Sequence, residues 1–100
     1  MTEIIEKWNT FKSLTFPTSI SGKEIYEINL NLLDTTTAGC ISYFVGCQNL
    51  EPERVIILES CKSDLEKVIK HLNSDEKSYF QHLFELSNDI LIKVSQSPAG

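Results

Sequence analysis

The sequence lacks a long apolar segment. Its longest uninterrupted apolar run, Val55 to Leu58, spans four residues, whereas a transmembrane helix needs about 18 or more. The segment from Met1 to Trp8 is interrupted by acidic residues and has no apolar core of the kind that a secretory signal requires. We therefore expect a protein with no membrane partner and no signal peptide.

Cysteine is also scarce. The three cysteines, Cys40, Cys47 and Cys61, are an odd number at irregular spacing, which does not form a disulfide framework. None lies in a Cys-x-x-Cys or Cys/His pattern that would bind zinc. We interpret them as small buried apolar side chains and predict a cytoplasmic protein, because free thiols persist in a reducing compartment.

Basic residues are outnumbered by acidic ones. The chain has nine Lys and Arg against 14 Asp and Glu, with a formal net charge of −5. Nucleic-acid binding needs Lys and Arg to displace counterions from the phosphates, and anionic membranes attract the same residues. We therefore predict no nucleic-acid partner, whereas an acidic surface would steer a basic protein partner towards it.

The length and composition indicate one ordinary folded domain. A chain of 100 residues with 41% apolar and 23% charged residues is typical of a small globular protein. We expect a single α+β domain over residues 1–95. Residues 96–100, which contain Pro98 and Gly100, are predicted to form a frayed C-terminal tail.

The N-terminal segment predicts a helix over residues 3–13. Ile4, Ile5, Trp8 and Phe11 recur at spacings of three and four residues and so share one helical face. Proline disfavours the α conformation in the residue before it. Pro17 is therefore expected to keep the helix from continuing.

The middle of the chain shows the alternation of a strand. Between residues 24 and 33, Tyr26, Ile28, Leu30 and Leu32 alternate with polar residues. This period of two is typical of a half-buried strand in an antiparallel sheet.

The segments on either side of this strand predict its partners. Residues 18–21 are a candidate short strand, and residues 34–37 read as a turn that Asp34 would cap. Residues 39–45, rich in β-branched and aromatic residues, predict the following strand. Together they predict a small antiparallel sheet of two or three strands.

The C-terminal half predicts a hairpin of two helices. Leu58, Cys61, Leu65, Val68, Ile69 and Leu72 form a helical stripe. Asn73 and Glu76 have capping-box spacing at the start of a second helix, over residues 74–94. Residues 52–58 are consistent with a strand or with the start of one long helix, which we favour. The predicted fold is thus α+β: an N-terminal helix, a small antiparallel sheet and a C-terminal helical hairpin.

One polar cluster could carry chemistry. Asp34, Thr35, Thr36 and Thr37 place a carboxylate and three hydroxyls in the predicted turn, and functional residues often lie on such loops. Neither of the two histidines has a second His or Cys three or four residues away, the spacing of a helical metal site, although His82 has Glu85 at i+3. We therefore predict no metal and no cofactor, and retain the Asp34 cluster as a weak candidate site.

An excess of apolar residues at the start of the long helix suggests an interface. Val55, Ile56 and Ile57 point in different directions on a helix, so a small monomer cannot bury all of them. We hypothesise a non-enzymatic interaction or regulatory module that acts as a homodimer through these residues. The alternative hypothesis is an enzyme or small-ligand binder with a site at a subunit interface around Asp34.

Overall fold

The computed structural model of the protein describes residues 2–96 and is mostly helical over that range. Its helices are α1 (Thr2–Lys12), α2 (Leu30–Cys47), α3 (Pro52–Ile69) and α4 (Ser74–Gln96). The loop between α1 and α2 holds a 3-10 turn (Thr18–Ile20) and a small antiparallel sheet of β1 (Glu24–Ile25) and β2 (Ile28–Asn29). The four helices accompany only two strands in this part of the chain.

The helices at both ends agree with the sequence. Residues 52–58 are helical and begin α3, with Pro52 at the first helical position, where its missing N–H is not needed. The predicted capping box starts α4: the Asn73 side chain accepts from the Glu76 N–H at 3.0 Å, and Glu76 accepts from the Asn73 N–H at 3.1 Å. The predicted helical hairpin is therefore confirmed. Gln96 ends α4, and the rest of the predicted tail, residues 97–100, lies outside the described residues.

The middle of the chain differs from the prediction. Residues 30–33, assigned to a strand, residues 34–37, assigned to a turn, and residues 39–45, assigned to a second strand, all belong to α2. The candidate strand at residues 18–21 is instead a 3-10 turn.

Two features make this segment helical. The Asn29 side chain caps α2 by accepting from the Leu32 N–H at 2.9 Å, which satisfies one of the free donors at a helix start. The residues that α2 buries recur at helical spacing: Leu30, Leu33, Thr37, Cys40, Ile41 and Phe44. Burial of this stripe overrides the strand propensity of the Thr-rich and aromatic residues, because propensity is a weaker effect than tertiary packing.

The two short strands form a tight hairpin. Glu24 pairs with Asn29 and Ile25 with Ile28, which leaves Tyr26 and Glu27 as a two-residue turn. Both have positive φ, 54° and 64°, as the turn that matches strand twist requires. Neither residue is glycine or asparagine, so the turn is held in a conformation that costs about 1–2 kcal/mol per residue.

The core is built around α4, which contacts all three other helices. Phe80, Leu83, Leu86 and Ile90 of this helix are fully buried. An aromatic cluster joins α1 and the following loop to α4, with ring-centroid distances of 4.9 to 6.0 Å: Trp8, Phe11, Phe16, Tyr79 and Phe80. Trp8 thus anchors α1 in the helical core. No helix within residues 2–96 is long and apolar enough to cross a membrane.

Candidate interaction surface

A groove between α2 and α3 gathers three large apolar side chains that are open to solvent. Leu32 is 63% exposed, Ile56 66% and Ile57 42%, and all three line the same groove of about 520 Å³. The remaining lining residues come from the hairpin and the two helices: Glu27, Ile28, Asn29, Leu33, Thr36, Ser60, Cys61 and Asp64. A cluster of exposed apolar residues is a common mark of a binding surface.

The helical stripes explain why these side chains stay outside. On α2, Leu30 and Leu33 face the core, and Leu32 is rotated out of that stripe by the 100° step of the helix. On α3, Leu58 and Cys61 face the core, which leaves Ile56 on the opposite side. Val55 is half-buried and packs against the core. The structure therefore exposes Ile56 and Ile57, and Val55 contributes mainly to the protein's own packing.

The two walls of the groove run in opposite directions. At one end, the Tyr43 hydroxyl of α2 donates to Glu51 just before α3, at 2.7 Å, and the Arg54 guanidinium lies 3.9 Å from the Tyr43 ring centroid. Further along, the side chains of Thr37 in α2 and Cys61 in α3 lie close to each other. The start of α2 therefore lies beside the later part of α3.

The charged residues of the groove are all acidic. Glu27 and Asp64 are the only ionisable side chains other than the Cys61 thiol among the described residues that line it. Asp64 lies one turn beyond Ser60 on α3, and Glu27 is presented by the hairpin turn just before α2. Because the helices are antiparallel, both carboxylates belong to the hairpin end of the groove, while Ile56 and Ile57 lie towards the other end.

The thiols at the base of this region are protected from reaction. Cys61 lines the groove but is buried, and Cys40 is buried nearby in α2, whereas Cys47, which the sequence predicted to be buried, is exposed at the end of α2. Burial raises the pKa of the Cys40 and Cys61 thiols, because a thiolate is poorly solvated there. Both therefore stay protonated at neutral pH and are weak nucleophiles.

The predicted polar cluster does not converge on one site. Residues 34–37 are helical, so their side chains leave α2 in successive directions. Asp34 accepts a hydrogen bond from the Tyr79 hydroxyl at 2.8 Å, and burial raises the pKa of its carboxyl. Thr37 is buried and donates to the Leu33 carbonyl at 2.7 Å. Thr35 is exposed, and only Thr36 lines the groove.

The histidines have separate local partners. The Nε2 atom of His71 lies 2.9 Å from the Tyr26 hydroxyl, and the Nδ1 atom of His82 lies 2.8 Å from the Ser78 carbonyl oxygen. Within residues 2–96, no group of three His, Cys, Asp or Glu side chains is placed to hold a metal ion.

Sequence reasoning identified Ile56 and Ile57 but missed Leu32, Glu27 and Asp64. The alternating pattern had placed Leu32 on the buried face of a strand. The signal for the correct structure was Asn29 as a helix cap, followed by the helical stripe through Leu30 and Leu33. That stripe places Leu32 outside the buried face of the helix. Comparisons with protein-family models, with curated proteins and with solved structures find no match for this chain. Its function is therefore inferred from its own geometry.

Proposed function

We propose that the protein is a non-enzymatic interaction module that binds a protein partner, either a segment of a different chain or a second copy of itself, in the α2–α3 groove. The observation that carries this proposal is the convergence of Leu32, Ile56 and Ile57, all exposed, on one groove. Burying a large aliphatic side chain contributes about 1.5–3 kcal/mol. Leu32, Ile56 and Ile57 are already partly buried, so covering their exposed parts would supply a fraction of this for each, towards the binding free energy of about 8 kcal/mol of a micromolar complex.

The alternative of a reactive or ligand-binding site around Asp34 has less support. The Asp34 carboxylate already accepts from Tyr79, and the buried Thr37 hydroxyl already donates within its own helix. A site that used these groups would first have to break contacts that hold α2 to α4 or that satisfy buried atoms.

Self-association is the form of this proposal that the sequence predicts. Two copies could cover Ile56 and Ile57 by placing them against each other, as a two-fold interface would. Val55 adds little to such a contact because it packs against its own core. Each copy would also bring a net charge of −5, which opposes association through an acidic surface.

A designed helical peptide tests the proposed function. It carries leucines at positions i, i+3, i+4 and i+7 and only uncharged polar residues elsewhere, so that it probes the apolar groove alone. We expect saturable binding to the wild-type protein in a fluorescence anisotropy titration. Ile56→Asp and Leu32→Asp are expected to abolish it.

The matched control is Ile92→Asp. Ile92 is 48% exposed on α4 and is not among the groove-lining residues, so its substitution should leave peptide binding unchanged. Circular dichroism and thermal unfolding would confirm that all three variants fold. The proposal is wrong if the wild-type protein binds no peptide and sedimentation velocity shows no self-association, or if all three variants lose binding equally.

A further inference from the structure

We infer that the segment bound in the groove is an amphipathic helix with a basic end, whose Lys or Arg contacts Glu27 and Asp64. This inference rests on the proposed function, and it adds the shape and the charge of the partner. The occupant it names is a helix of a different protein, distinct from a second copy of this chain.

The shape follows from the walls of the groove. Its lining residues recur at helical spacing on both sides, as Leu32 and Thr36 on α2, preceded by the Asn29 cap, and as Ile57 and Asp64 on α3. From residue 56 to residue 64 the α3 wall extends about 12 Å at the rise of an α-helix. A third helix packs its own ridge of side chains into such a channel, and two to three turns would fill it with anchors at i, i+3 or i+4, and i+7.

The charge follows from how α3 distributes its ionisable residues. Glu53 and Glu59 lie one turn before and after Ile56 and are exposed, and Asp64 lines the groove. The nearest basic residues of α3 are directed elsewhere: Arg54 stacks over the Tyr43 ring, and the Lys62 ammonium lies 5.8 Å from the Phe84 ring centroid, on the side of α4. The surface around the exposed apolar residues is therefore acidic.

The hairpin fixes the position of the second carboxylate. Its turn is held at one end by Tyr26, whose ring meets that of His71 edge-on at 5.0 Å and whose hydroxyl contacts it. At its base, the Gly22 N–H donates to the Asn31 side chain of α2 at 2.8 Å. These contacts hold the turn that carries Glu27 in place, so that Glu27 lines the groove together with Asp64 from α3. Two carboxylates at one end of an apolar channel are complementary to a helix that is apolar along its length and basic at one terminus.

Three peptides with the same leucine stripe test this inference. They differ only in the residues that flank the stripe at one end, which are Lys, Gln or Glu. We expect affinity to fall in the order Lys, Gln, Glu, and the advantage of the Lys peptide to shrink as salt rises from about 0.05 M to about 0.5 M. A Lys peptide with a scrambled leucine stripe controls for general attraction to an acidic protein and should not bind saturably.

Charge-neutralising variants locate the contact. Glu27→Gln and Asp64→Asn should each lower the affinity for the Lys peptide by about 2- to 5-fold, the range for an exposed ion pair. The affinity for the Gln peptide should not change. Glu66→Gln, an exposed acidic position of α3 outside the groove, is the matched control and should change neither.

The outcomes separate this inference from the proposed function. Equal binding of the Lys and Gln peptides, or equal loss in all three charge variants, overturns the basic partner and leaves the interaction module in place. Failure of every peptide to bind overturns the helix partner. Self-association that Ile56→Asp removes would then assign the groove to a second copy, and absence of self-association would overturn the proposed function as well.

Discussion

Within residues 2–96, the cleft between α1 and α4 and the groove between α2 and α3 differ in the side chains that line them. The cleft between α1 and α4, of about 420 Å³, is lined by charged and polar residues that include Glu3, Glu6, Lys7 and His82. The groove between α2 and α3 is of similar size but contains three exposed aliphatic side chains. Water solvates the charged and polar side chains of the α1–α4 cleft well. The exposed apolar side chains of the α2–α3 groove are stabilised when a partner covers them.

The packing beneath the two grooves also differs. Under the α1–α4 cleft, an aromatic cluster closes the core, and the Lys7 ammonium donates to Asp89 at 2.6 Å across the helices. At the α2–α3 groove, the stripes of both helices turn inward and leave Leu32 and Ile56 outside. This difference supports the proposal that the α2–α3 groove is a contact surface and that the α1–α4 cleft is not. The following substitutions test it.

The largest expected effect separates residues that stabilise the core from residues that line the α2–α3 groove. Phe11→Ala removes a buried ring that packs 4.9 Å from Tyr79, and we expect it to lower the free energy of unfolding by about 3–5 kcal/mol. Ile56→Ala should change it by less than about 0.5 kcal/mol. Urea denaturation measures both, and a comparable loss in the two variants would show that the groove is part of the core.

A smaller effect is expected where α2 meets α4. Tyr79→Phe removes the hydroxyl that donates to Asp34 and should cost about 1–2 kcal/mol at pH 7, because the half-buried carboxylate loses its donor. A loss of stability of this size in Tyr79→Phe, with unchanged peptide binding, would show that the Tyr79–Asp34 contact stabilises the fold and takes no part in binding. Equal stability of variant and parent would contradict it.

The same contact has a pH signature. Burial raises the folded-state pKa of Asp34 above its ordinary value of 3.8, and the Tyr79 hydrogen bond opposes that rise. The folded state therefore binds the proton more tightly, so Asp34 favours folding most below pH 3.8 and less as the pH rises through its folded pKa. Without Tyr79 the folded pKa rises further, and the cost of Tyr79→Phe should be larger at pH 7 than at pH 3 in parallel urea titrations.

The ion pair across the polar cleft should contribute less. Lys7 and Asp89 have side chains 42% and 30% exposed, so solvent screens their attraction. We expect Lys7→Met to cost about 0.2–1 kcal/mol at low ionic strength and less at high salt. Thermal unfolding at two salt concentrations checks this, and a loss that salt does not reduce would point to packing of the Lys7 stem instead.

The smallest effect concerns the hairpin turn. Asparagine tolerates positive φ better than glutamate, so Glu27→Asn should stabilise the folded protein by about 0.5 kcal/mol. The same change removes a carboxylate from the groove and should lower the affinity for the Lys peptide. A stabilised variant that binds the Lys peptide as tightly as the parent would remove Glu27 from the proposed contact.

The ends of the chain could be predicted because their local signals agree. The stripe through Ile4, Trp8 and Phe11 and the capping box at Asn73 each favour one structure, and all of these residues occupy the expected places. The centre could not, because residues 30–45 support two patterns at once. Alternation and β-rich composition favour strands, while Asn29 and the inward stripe of α2 favour a helix.

The candidate surface was predictable only in part for the same reason. Ile56 and Ile57 stood out as too many apolar residues in one turn of a helix, and the structure exposes both. Leu32 and Glu27 were hidden by the strand assignment. Asp34 and Thr37 looked like neighbours in a turn, but helical geometry sends them to different partners.

By itself, the sequence determined the acidic charge, the first helix, the C-terminal hairpin and the surplus of aliphatic residues near Ile56. Each depends on residues within a few turns of one another, where spacing and capping act locally. The tertiary structure decided that the centre is helical and that Leu32, Ile56, Glu27 and Asp64 share one groove. Glu27 and Leu32 are far from Ile56 and Asp64 in the chain, and only the burial of the α2 and α3 stripes against α4 brings the two pairs together.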